Sequence, residues 1–151
     1  MDRRAIGKAL REVHASAGVQ PADDVEAIMY RCGSVEEALL YTALFVPEFI
    51  EVDGSVLLCL QLDSAEQFRT AKQKNDVPLA ELEESFNWVE IPFLFVDEKS
   101  SDEHDRLLAE VVAEAWRGRL KHLFPERRFI VELMLPEKTG TVLSVGFREI
   151  R

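Results

Sequence analysis

The apolar residues of this chain change their spacing along its length, and those changes limit the folds open to it. Ile6, Ala9, Leu10 and Val13 recur at helical spacing, with Gly18 as a stop beyond them. A second helix is expected from Pro21, with Asp23, Asp24 and Glu26 in its opening turn, where acids complement the helix dipole, and with Gly33 at its end. Ser34-Val35-Glu36-Glu37 is a capping box, in which Ser34 and Glu37 each satisfy a backbone donor that a helix start leaves free. The third helix it opens runs to about Val46, before Pro47. Val35, Leu39, Leu40, Ala43, Leu44 and Phe45 make this helix apolar on most sides, so it is expected to be the most buried of the three.

From Glu48 the period shortens to two. Asp53-Gly54 lies between Phe49-Ile50-Glu51-Val52 and Ser55-Val56-Leu57-Leu58-Cys59-Leu60, and this dipeptide tolerates the positive φ angles of a two-residue hairpin. The second strand is apolar on both faces, which predicts a central strand covered on both sides. Ser64-Ala65-Glu66-Gln67 reads as another capping box, opening a short helix to about Lys74, and Pro78 starts a further helical stretch through Leu82 to Phe86. Trp88 to Val96 reads as a strand, although Pro92 cannot donate to a ladder and argues for an edge or a bulge. Ser100-Ser101-Asp102-Glu103 is a third capping box before the longest helix, which runs to Leu123 or Phe124. Two strands follow Pro125, from Arg127 to Leu135 and from Thr141 to Glu149.

These elements predict one globular domain over residues 1–151, of α+β class: a five-stranded, mostly antiparallel sheet with helices mainly on one face and three helices in front. If the strands ending at Val96 and starting near Arg127 are parallel neighbours, the long helix is a right-handed crossover between them.

Charge narrows the partners. Twenty-eight acids against 18 bases give a net charge of −10, which repels nucleic-acid phosphates and anionic lipid, so neither nucleic acid nor membrane is expected as a partner. From Asp23 to Glu66 the lone base is Arg31, and from Asp76 to Glu110 the bases are Lys99 and Arg106; apart from Arg69, Lys72 and Lys74 between these stretches, the positive charge is left to the ends. The helices after Gly18 are therefore too acidic to enter a DNA groove. There is no apolar run of membrane-span length, no secretory leader pattern and no glycine-rich phosphate loop. Two cysteines are too few for a disulfide framework or a zinc site, so the cytoplasm is the expected location and no cofactor is expected.

The densest polar cluster runs from Asp97 through Glu98 and His104 to Asp105. Its carboxylates and histidine could hold Mg²⁺ or Mn²⁺, but Asp102, Glu103 and Asp105 fall in a first helical turn, where acids need no ligand, and no metal site is expected. His14, His104 and His122 each lie at or near a helix end. Cys59, in an apolar strand, is expected to be an inert core residue, and Cys32 to be more exposed. The sequence thus favours a non-catalytic protein-interaction domain, of the kind an immunity protein or a dedicated chaperone represents, presenting acidic surface to a basic or amphipathic protein partner. Trp88, Asp97, Glu98, Asp102, Glu103 and Asp105 are its candidate partner-binding residues. The alternative is a small enzyme with a carboxylate and histidine site from Asp97, Glu98 and His104, joined by Glu48 or Glu51. Monomer and dimer both remain open.

Overall fold

A computed structural model describes residues 3–15, 18–20, 24–74, 76–95, 101–135 and 142–151. Helix α1 (Arg3–Val13) is followed by α2 (Val25–Cys32) and α3 (Val35–Phe45). Asp24 caps α2 by accepting from the N–H of Ala27 at 2.9 Å, and the predicted capping box of α3 is present with both hydrogen bonds made. The hairpin of β1 (Phe49–Val52) and β2 (Ser55–Leu58) turns at Asp53 and Gly54, whose φ angles are 51° and 86°. Then come α4 (Ala65–Lys74), α5 (Leu79–Phe86), β3 (Trp88–Glu90), the 22-residue α6 (Asp102–Leu123), β4 (Phe129–Met134) and β5 (Ser144–Glu149).

The class is α+β, but the five strands among the described residues form two antiparallel sheets. One is the β1–β2 hairpin; the other has the order β3-β5-β4. Because β5 pairs antiparallel with both neighbours, β3 and β4 run parallel, yet they are not adjacent as the crossover expectation required. Two of the predicted strands end early where a short 3-10 turn begins: Cys59–Gln61 after β2, and Ile91–Phe93 after β3, where Pro92 lacks the ladder donor. The cap of α6 also sits one residue later than expected. Ser101 Oγ accepts from the N–H of His104, so Glu103 is not in the position that closes a capping box; Ser100 lies outside the described residues.

Side chains, rather than a backbone ladder, join the sheets. Asn87, 2% exposed, accepts from the N–H of Leu58 at 3.0 Å through Oδ1 and donates through Nδ2 to Val56 O at 2.9 Å. These groups flank Leu57, the pattern that a parallel strand residue would make with its own backbone. Arg127 forms a second tie. Its Nε donates to Glu149 of β5 at 2.7 Å, its Nη2 to Gly54 O at 2.6 Å, and its Nη1 lies 3.2 Å from Glu51 of β1.

Strand β2 is covered on both faces, as its sequence predicted, but it is not a central strand, since its backbone pairs with β1 alone. Val56 and Leu58 enter a main core with α6 and the three-stranded sheet, where Phe49, Trp116 and Phe147 meet edge to face. Val52 and Leu57 enter a second core against Phe68 of α4 and Leu82 of α5. Among the described residues no helix is long and apolar enough to cross a membrane.

Candidate functional site

A helix with no polar face needs cover on every side, and α3 does not receive it from the described residues of this chain. Leu44 is its one buried residue, and Tyr41 and Phe45 are half-buried. The C-terminal end of α3 is pinned where Trp116 Nε1 donates to Leu44 O at 2.8 Å. Outward, Val35 (72% exposed), Leu39 (65%), Leu40 (69%) and Val46 (56%) are left to solvent. This reverses the expectation that α3 is the most buried of the three helices: apolar composition shows that cover is needed, not which molecule supplies it.

The geometry of this surface follows from helical spacing. Val35, Leu39, Thr42 and Val46 are separated by four, three and four residues, which places them in one stripe along α3. Glu36 and Leu40 flank it. Helix α2 buries Ile28 and turns Met29 (65% exposed) and Tyr30 (90%) outward.

Charge is distributed unequally along the stripe. In the first turn of α3 Glu36 and Glu37 are exposed, as are Asp24 and Glu26 at the start of α2, while Arg31 directs Nη1 to Gly18 O at 2.8 Å. At the other end Phe45 and Val46 meet Val111, Glu114, Ala115, Gly118, Arg119 and His122 of α6 around an open groove of about 650 Å³. Gly118 leaves its floor low, since a Cβ there would meet nothing within 4 Å. Arg119 Nε is buried and has no hydrogen-bond partner among the described residues, and His122 is exposed.

The residues singled out from sequence lie elsewhere. Asp97 and Glu98 are outside the described residues. Asp102 and Glu103 are exposed in the first turn of α6, and His104 and Asp105 are half-buried. Asp102 and Asp105 line a cavity of about 320 Å³ together with Pro92, Arg106 and Leu143, whereas His104, whose buried Nδ1 has no partner among the described residues, is not part of that lining. Glu48 is exposed, and Glu51 belongs to the Arg127 tie. Among the described residues no group of three or more His, Cys, Asp or Glu is placed to hold a metal ion.

Trp88 is half-buried on the outer side of β3, opposite Gly146, and its Nε1 donates to Ser85 O at 3.1 Å. Phe86 packs edge-on against Phe68, and the well-exposed aromatic of this region is Phe93. Cys59 sits half-buried in the turn after β2 rather than in the strand; burial, with a contribution from the Glu48 carboxylate, pushes its thiol above the ordinary range.

Sequence reasoning missed the outer face of α3 and the groove beside Val46, which Glu114, Arg119 and His122 line. The signal for the first was the lack of any polar face on an 11-residue helix whose neighbours are amphipathic. Arg119 and His122 were hidden because bases near a helix C-terminus have an ordinary dipole explanation. No protein-family model, curated protein or solved structure matches the chain.

Proposed function

We propose that this chain is a non-catalytic protein-interaction domain that docks a partner of basic or amphipathic character on the outer face of α3. One observation carries the reading: α3 is apolar nearly all round, yet three of its large side chains, Val35, Leu39 and Leu40, and its cap Val46 are more than half exposed. Apolar surface gathered in one patch, as opposed to scattered singly, marks an interaction site. Covering each of these side chains would contribute about 1–2 kcal/mol before the costs of association.

Glu36 and Glu37, in the first turn of α3, supply the electrostatic preference. Exposed acids of this kind speed encounter with a basic surface and disfavour acidic competitors, more than they add affinity. The free thiols of Cys32 and Cys59 fit a reducing compartment such as the cytoplasm.

The test is a quantitative pull-down from native lysate in low salt, with the parent chain and the double variant Leu39→Glu/Leu40→Glu compared side by side. The proposal expects at least one protein held by the parent and lost from the variant, with retention weakening as salt rises. Identical recovery by the two baits, or recovery of no protein by either across several growth conditions, would overturn it.

A further inference from the structure

We infer that Arg117 closes the open edge of β4, which would otherwise pair with β4 of a second copy of this chain. This edge belongs to the three-stranded sheet, and the inference is independent of the docking face on α3.

The hazard lies in the residues themselves. Phe129-Ile130-Val131-Glu132-Leu133-Met134-Leu135 is apolar but for one charge and contains neither proline nor glycine. A run of this kind pairs with its own like wherever its backbone is left open. In the folded chain it supplies β4, an edge strand, since β5 alone pairs with it.

The direction of its unused backbone groups follows from the ladder. Residue pairs in an antiparallel ladder alternate between those that exchange hydrogen bonds and those that do not. Ile150 N–H donates to Arg128 O at 2.8 Å, and Phe147 N–H turns to the β3 side, donating to Asn87 O at 2.9 Å. Ile130, Glu132 and Met134 therefore bond to β5. The N–H and C=O groups of Phe129, Val131 and Leu133 point the other way, where the described residues provide no further strand.

Val131 stands at the centre of that open row. Its carbonyl accepts from Arg117 Nη2 at 2.9 Å and from Arg117 Nε at 3.2 Å, so one guanidinium reaching over from α6 engages both lone pairs. An added strand would run about 4.8 Å from β4, through the space that the guanidinium fills. It would also have to aim an N–H at an oxygen already held by a charged donor, whose bonds are about twice as strong as neutral ones. Charge set on an edge strand is a recurrent guard against pairing.

The same geometry identifies the strand that is excluded. Two β4 edges, antiparallel about a two-fold axis through Val131, bring Phe129 of one copy opposite Leu133 of the other and Val131 opposite its own image. All the outward groups then find partners, and Glu132 faces Ile130 instead of a second Glu132. With Arg117 in place, the central pair of bonds cannot form.

The experiment compares the parent with Arg117→Met, which keeps the apolar stem and removes both donors, and with Arg117→Ala. Amide exchange is followed residue by residue by nuclear magnetic resonance at low and high protein concentration. Sedimentation velocity reports association over the same range, and far-ultraviolet circular dichroism reports the fold. In the parent, the amides of Phe129, Val131 and Leu133 should exchange fast at both concentrations, and those of Ile130, Glu132 and Met134 slowly. In the variants, the first three should slow by about tenfold or more as concentration rises and a dimer forms.

Outward amides of the parent as slow as the inward ones would overturn the inference. So would folded variants whose outward amides stay fast at high concentration, or a dimer that protects other amides instead. Loss of the fold in both variants would overturn it as well, because Arg117 would then hold the sheet together instead of closing its edge.

Discussion

Trp116 Nε1 donates to Leu44 O across 2.8 Å of buried space, and this bond fastens the C-terminal end of α3 to α6. It leaves the outer side of α3 untouched, so fixation and exposure of that helix can be varied independently. Trp116→Phe keeps an aromatic ring but removes the donor, leaving a buried carbonyl without its partner. The expected cost is about 2 kcal/mol, read by urea unfolding. Amide exchange should rise most in the last turn of α3. Uniform acceleration across the whole molecule would show that the bond does not act locally.

The two sides of α3 should respond oppositely to truncation. Leu44→Ala removes a buried side chain and is expected to cost about 3 kcal/mol. Leu39→Ala removes one that is 65% exposed and should change the stability of the monomer by less than about 0.5 kcal/mol. Chemical denaturation at low protein concentration separates these values. Equal losses at both positions would mean that Leu39 is covered by its own chain.

Asn87 makes a sharper prediction, because both halves of its amide are used. Asn87→Ala leaves the N–H of Leu58 and the carbonyl of Val56 unpaired inside the protein, at a cost of about 2–4 kcal/mol. Asn87→Asp can still accept from Leu58 but, when ionised, cannot donate to Val56. At neutral pH it should therefore rescue little of that loss. Full rescue by Asp, measured in the same urea titrations, would show that the Val56 bond contributes nothing.

Acid should loosen the Arg127 tie. The Glu149 carboxyl is held below the ordinary glutamate range, first by its hydrogen bond from Arg127 and then by the charges of Arg127 and Arg151, against an opposing effect of burial. A carboxyl depressed by folding contributes stability that is complete above its unfolded value, near ~4.3, and that is lost as pH falls through the depressed folded value. The melting temperature of the parent should thus drop on acidification beneath that point. Glu149→Gln should be less stable at pH 7, by about 2 kcal/mol, and show a shallower decline into acid. Parallel melting curves for the two proteins across that range would contradict the assignment.

Much of the local structure was legible in the residues, and the reasons are local. The Ser34–Glu37 box, the Asp53-Gly54 turn and the doubly apolar β2 depend on neighbours in sequence, and each stands in the structure where its chemistry put it. The sheet arrangement was not legible, because the junction between β2 and β3 is made by the side chain of Asn87 and the tie between hairpin and β5 by Arg127. Neither side chain has a sequence pattern that distinguishes a bridging role from an ordinary turn or surface position. The docking face was misread for another reason. An all-apolar helix reads the same whether its cover comes from within the chain or from outside it.

The order of strands β3-β5-β4 also has a consequence for synthesis on the ribosome. The two outer strands share no hydrogen bonds with each other and await β5, the last of the described strands to be made, which brings Val145 and Phe147 into the main core. Until Ser144–Glu149 has left the exit tunnel, the emerging chain carries α3 uncovered and two strands without a template, the condition in which nascent chains stick to one another. Stalled chains ending before Ser144 should therefore be protease-sensitive between β3 and β4, and chains extended past Glu149 should become resistant in a single step.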